Sequence, residues 1–240
     1  MQPRRILFLI SLIFILLSAC SHPQVFVPEG VYYVDAVSGD DNSDGLSPDT
    51  AWKSLEKLSY TIVAPGSRVL LNSGQVFRGS LFPSSGTAEK LVEYSIYGGT
   101  EKAIIQNSVD LSSEASWNQW SGGIWKASGS YSTDIGNIIL NGSTCAVRKW
   151  NYSDLTSDLD YFYDSFWNVL YLKSSENPGS RFLSIEAALT SHIVDHSNVS
   201  YTEFSNLHLR YGSAHGFGGG DTEGLHIHNC EFSYIGGGYL

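Results

Sequence analysis

"VSYTEFSNLHLRYGSAHGF" (residues 199–217) and "TEGLHIHNCEFSYIGGGYL" (residues 222–240) superimpose at an offset of 23. Phe204 falls on Ile227, Asn206 on Asn229, Leu209 on Phe232, Tyr211 on Tyr234 and Phe217 on Leu240. Apolar residues meet apolar residues at alternating positions, which is the period of a strand with one buried face. The asparagine recurs at the same break between two such runs. Repeats of about 20–50 residues mark solenoids, in which each unit buries its apolar face against the next. Units of strand, corner and strand with no helix predict an all-β fold, a parallel β-helix. The repeat stops at "GGGYL" (236–240) with no helix or Pro-containing segment to cover it, so the β-helix reads as C-terminally incomplete, with further rungs expected.

The same grammar extends upstream. "VYYV" (31–34), "RVLLN" (68–72), "LVEYSIYG" (91–98) and "AIIQNS" (103–108) read as strands, with Gly, Asn and Ser between them. The loop "SGDDNSDGLSPDTAW" (38–52) places Asp40, Asn42, Asp44 and Gly45 like the first ligands and the glycine of an EF-hand. The twelfth position, where a bidentate Glu closes such a site, is Ala51. The loop reads instead as a turn feeding a helix, with Ser47 as N-cap, Pro48 as first residue and Asp49 against the dipole. Trp52, Leu55 and Leu58 then share the apolar face. No cofactor and no metal site are expected; calcium at this loop is one candidate ion, and His226 and His228, alternating along one strand, are the other candidate ligands, with no third ligand evident.

Residues 110–182 differ in character. Trp117, Trp120, Trp125, Trp150 and Trp167 fall there, and "YFYDSFWNVLYLKS" (161–174) reads as a hairpin turning at 164–168. This is a β-rich insertion whose aromatics either fill a core of its own or stack on sugar rings. Upstream of everything, Arg4 and Arg5 precede an apolar run at 6–17, too short for a comfortable membrane span and laid out like a secretory signal. Removing residues 1–19 takes two Arg and no acids, leaving 12 basic against 24 acidic residues, a charge of −12. That balance argues against nucleic acid or anionic lipid as partner. Cys145 and Cys230 have no zinc-like spacing; they form either a disulfide or two separate thiols.

The stretches "YYVDAVSGDDNSDGLSPDTAWKSLEKL", "PGSRVLLNSGQVFRG" and "SLFPSSG" resemble the N-terminal region of bacterial right-handed parallel β-helix proteins of the pectate-lyase-like superfamily. "SIEAAL" (184–189), leading into the rungs, is similar too. "LSAC" (17–20) resembles a lipobox, which implies lipid on Cys20, and Ser21 after it fits sorting to the outer membrane. The resemblance implies that the acidic loop and short helix cap the first rung, and that Asn206 and Asn229 form a structural corner ladder. The superfamily holds lyases, hydrolases, epimerases and adhesins. The expected protein is therefore polysaccharide-active, cleaving glycosidic bonds by elimination or hydrolysis, or else a cell-surface carbohydrate-binding or adhesive protein without catalysis.

The expected division is a signal peptide at 1–19, a tether at 20–30, cap and first rungs at 31–109, the insertion at 110–182 and further rungs at 183–240. With Leu225 and Ile227 pointing inward, His226 and His228 point outward, and the offset sets Glu203 beside His226. Neighbouring strands lie about 4.8 Å apart, so Glu203 and His226 form either an acid/base pair or part of a solvated ladder. Arg210 and His215 flank the next corner and complete the candidate catalytic set. Trp167, Asp221 and Glu223 are the candidate substrate contacts, the two acids reading otherwise as turn residues.

Overall fold

A computed structural model describes residues 23–131 and 133–236. The signal segment, Cys20 and the pairing of Phe217 with Leu240 lie outside the described residues. The fold is all-β, with helices of at most five residues among the described residues. Two parallel sheets carry the repeat. The larger joins Val31–Val34, Arg68–Asn72, Val92–Tyr97, Thr202–Ser205 and Leu225–His228 in that order, every neighbouring pair parallel. The smaller joins Val76–Arg78, Ala103–Gln106, Leu207–Gly212 and Glu231–Ile235 in the same way. The chain alternates between them, and a third pairing sets Val194–Asp195 beside Phe217–Gly218.

Inward residues stack in register. Tyr32, Val69, Tyr94, Phe204 and Ile227 form one column, and Phe77, Ile105, Leu209 and Phe232 another. All are buried except Ile227 and Phe232, on the last strand of each sheet. The backbone itself repeats every 23 residues: left-handed conformations fall at Asn198 and Asp221, Tyr201 and Gly224, Asn206 and Asn229, and Tyr211 and Tyr234. Asn tolerates this region better than most residues. At the corner the Asn229 amide donates to Asn206 Oδ1, and the Asn206 amide to Ser95 Oγ.

Between the upstream and downstream parallel strands stands a sheet system of mixed direction. Ser108–Asp110, Ile185–Leu189, Ile135–Leu140 and Thr144–Cys145 pair antiparallel. A second sheet holds Trp117–Ser121, Ile124–Ala127, Val169–Lys173, Asp160–Asp164 and Val147–Arg148. Trp117, Tyr161, Leu170 and Leu172 lie in a core of their own here. Residues 185–189, just upstream of the later parallel strands, themselves form an antiparallel strand of this system. Cys145 and Cys230 are free thiols.

The acidic loop departs from the single helix expected. A 3-10 turn, Pro48–Thr50, is capped by Ser47, and a separate helix, Leu55–Ser59, is capped by Ser54. The break arises because Asp41 accepts hydrogen bonds from the Lys53 and Ser54 amides and the Ser54 hydroxyl, holding residues 53–54 out of helical pairing. Trp52, Leu55 and Leu58 are nevertheless buried in one core. Asp40 accepts from the Asn42 amide and side chain, and Asp44 from the Leu46 amide and the Thr50 hydroxyl. These carboxylates already have local donors, so thermal melts in excess calcium and in chelator are expected to superimpose. A calcium-dependent rise of more than about 4 °C, roughly 1 kcal/mol or more at this chain length, would overturn that reading.

Candidate functional site

Strands from distant parts of the chain bring two outward ladders together. On the larger parallel sheet Arg68, Glu93, Glu203 and His226 occupy one row, each the register partner of the next. The neighbouring row holds Leu70, Ser95, Ser205 and His228. Arg68 Nε donates to Glu93 at 2.8 Å, and the Ser95 and Ser205 hydroxyls are 2.8 Å apart. Glu203 and His226 are register neighbours as expected, yet the Glu203 carboxylate meets His228 Nε2, at 2.9 Å. Diagonal neighbours lie within reach of long side chains, so register alone does not fix the partner. Glu93 and Glu203 thus project from adjacent strands, one tied to an arginine and the other to a histidine.

The smaller parallel sheet presents Arg78, Gln106, Arg210 and Ser233 in one outward row and Val76, Ile104, His208 and Glu231 in the other. A cleft of about 470 Å³ opens over the first row. Glu186, from the antiparallel system, forms one wall. Its carboxylate accepts from Arg78 through both guanidinium nitrogens at 2.8 Å, from Ser108 Oγ at 2.7 Å and from Gln106 Nε2 at 3.2 Å. Four donors saturate it and fix the insertion to the sheet; such a carboxylate holds position and has no lone pair left for chemistry. Arg210 Nε donates to Gln106 Oε1 at 2.8 Å, and its guanidinium lies 4.7 Å from the Tyr211 ring centre. His208 Nε2 is 2.7 Å from Ser233 Oγ. Burial lowers the His208 pKa below its ordinary value; the Glu231 carboxylate opposes this, and Arg210 and Lys102 add to it.

The candidate residues therefore divide among three sheets. Glu203 and His226 lie on the larger sheet, Arg210 on the smaller, and His215 just before the short strand Phe217–Gly218. Asp221 is exposed in the turn before Leu225–His228, at φ 55°, and Glu223 accepts from the Tyr201 hydroxyl at 2.7 Å. Trp167 is exposed at the tip of the Asp160–Asp164 and Val169–Lys173 hairpin, edge-on to Phe166. Sequence reasoning missed Arg68, Glu93, Arg78, Gln106 and Glu186. A signal existed for Glu93: "VEYS" (92–95) matches "TEFS" (202–205) at an offset of 110, and these strands are adjacent in the sheet.

No protein-family profile and no curated protein matches the chain. Among solved structures it is similar to a complex of XylC with xylose, with a TM-score of 0.60 and 15% identity, over 76% of this chain and 35% of that one. It is also similar to a glycoside hydrolase, with a TM-score of 0.52 and 10% identity, over 76% of this chain and 51% of that one. Likeness at these identities concerns the fold. The chain spans about a third to a half of those proteins' length.

Proposed function

We propose that the two parallel sheets are rungs of a right-handed parallel β-helix and that the protein hydrolyses glycosidic bonds in a polysaccharide on the face bearing Glu93 and Glu203. The observation that carries this reading is the register Arg68–Glu93–Glu203–His226. Glycoside hydrolysis uses two carboxyl groups flanking the bond, about 5–5.5 Å apart when configuration is retained. Carboxylates on adjacent strands, about 4.8 Å apart at the backbone, suit that arrangement better than the wider gap an inverting enzyme needs. In this proposal Glu93, paired with Arg68, attacks the anomeric carbon. Glu203, hydrogen-bonded to His228, protonates the leaving oxygen. The similarity to a glycoside hydrolase fold and to a xylose complex supports a sugar substrate by analogy.

The proposal includes the chain's setting: a bacterial envelope protein tethered through lipid on Cys20, divided at residues 31, 110 and 183 as the sequence suggested. A second reading, polysaccharide binding without cleavage, is favoured by the exposed Trp120, Trp150 and Trp167 of the inserted sheet, whose flat faces suit a sugar ring.

The test is a panel of polysaccharides read for new reducing ends and for unsaturated uronate absorbance. Reducing ends without absorbance are expected, with Glu93→Gln and Glu203→Gln each lowering kcat by at least about 100-fold. Unsaturated products would move the chemistry to β-elimination. Binding without products would leave the second reading, and unchanged rates in both variants would remove the carboxylate pair.

A further inference from the structure

His192 and His215 lie 23 residues apart, one step of the repeat, just ahead of the paired strands Val194–Asp195 and Phe217–Gly218. Two backbone hydrogen bonds lock that register: the Ile193 amide to the His215 carbonyl at 3.0 Å, and the Val194 amide to the Gly216 carbonyl at 2.8 Å. Ser80 Oγ donates to the His192 carbonyl at 2.6 Å and fixes the upstream side. The two rings face each other with centres 5.1 Å apart, and their Nδ1 atoms are 3.3 Å apart. His215 is exposed and His192 half-buried, so the pair is open to solvent on one side.

Two imidazoles in this arrangement cannot both direct lone pairs at each other. Either a proton or a cation must lie between them. The spacing matches a chelate: two nitrogens at 2.0–2.1 Å from a tetrahedral zinc ion are separated by about 3.3 Å. The surroundings also hold the His192 ring in place. A Cβ on Gly218 would lie 2.1 Å from His192 Nδ1, so the ring occupies space that any side chain at 218 would fill. A glycine there is required by the ring, since Gly218 has no left-handed backbone to explain it.

We propose that His192 and His215 form a two-histidine chelate for a borderline divalent cation, zinc foremost, through their Nδ1 atoms. Among the described residues no third His, Cys, Asp or Glu joins them, so the ion keeps two positions for water or an oxygen ligand. On binding, the proton between the rings leaves Nδ1 and the same ring takes one up at Nε2 from solvent, so both rings present Nδ1 lone pairs with no net change in protons. The site stands on a different sheet from Glu93 and Glu203, and it does not depend on the carboxylate pair.

Calorimetric titration of the protein with zinc chloride tests it, alongside the visible spectrum with cobalt(II). One ion per chain is expected, with tetrahedral-type cobalt bands. His215→Gln, at an exposed position, should weaken zinc binding by at least about tenfold. Gly218→Ala, which keeps both ligands and displaces the His192 ring, should weaken it as well. The exposed His226 and His228 supply the competing site, tested by replacing both with Gln. Loss of binding in that double variant with full binding in His215→Gln would overturn the proposal, as would the absence of any zinc-dependent heat in the wild-type protein.

Discussion

Arg78→Ala is expected to lower the stability of the protein by about 3 kcal/mol in urea denaturation, one of the two largest losses predicted for this fold. The reason is the Glu186 carboxylate, whose side chain is 11% exposed and which receives two of its four hydrogen bonds from that guanidinium. Removing one partner of a buried pair leaves an unpaired charge, and the cost is mostly that of its desolvation. Arg78 itself is 40% exposed, which places the value at the lower end of the range for buried pairs. Glu186→Gln should cost less, because an amide keeps the volume and can still accept from Ser108. Arg78→Met with Glu186→Leu should cost less than the sum of the single losses, since neither charge is then stranded. A loss within about 0.5 kcal/mol for Arg78→Ala would mean that this pair does not anchor the insertion.

That anchor was not legible in the sequence, and the reason is physical. Arg78 and Glu186 are 108 residues apart, and no local pattern of period two or 3.6 connects them. The repeat between 199 and 240 was legible because its two units are neighbours of equal length; the backbone itself returns to left-handed conformations at a spacing of 23. Between Val92–Tyr97 and Thr202–Ser205 the insertion hides the same relation, and within the four-residue match only Glu and Ser are identical. The pairing of 185–189 was not legible, because a short, mostly apolar strand looks alike in a parallel or an antiparallel sheet. The outward position of Glu203 and His226 followed from alternation; the bond to His228 depends on side-chain reach, which alternation does not encode. For the acidic loop, composition gave the turn and the cap. The split helix came from Asp41, which acts 12 and 13 residues along the chain.

Trp52→Ala is the other large effect, with an expected loss of about 3–5 kcal/mol and a fall in Tm of roughly 10 °C. Trp52 is 1% exposed and stacks on Tyr32, ring centres 5.0 Å apart and planes 10° from parallel. Tyr32 begins the inward column that continues through Val69, Tyr94 and Phe204, so the indole covers the first strand of the larger sheet. The acidic loop is folded over it. The indole Nε1 donates to the Ser43 carbonyl at 3.0 Å, and Gly45, at φ 73°, lies so close that a Cβ would come within 2.5 Å of the ring. The Trp52 backbone continues the sheet's hydrogen bonding, donating to Tyr33 and accepting from Asp35. Truncation to Ala therefore opens a cavity, strands the Ser43 carbonyl and frees the loop that shields a strand edge. Gly45→Ala should also destabilise, through both the backbone conformation and the clash. Trp167→Ala supplies the control, because that side chain is 68% exposed and its loss should change stability by less than about 0.5 kcal/mol. Calorimetric melts of the three variants decide the matter: if Trp52→Ala melts within about 2 °C of the parent, the loop and its tryptophan do not cap the sheet.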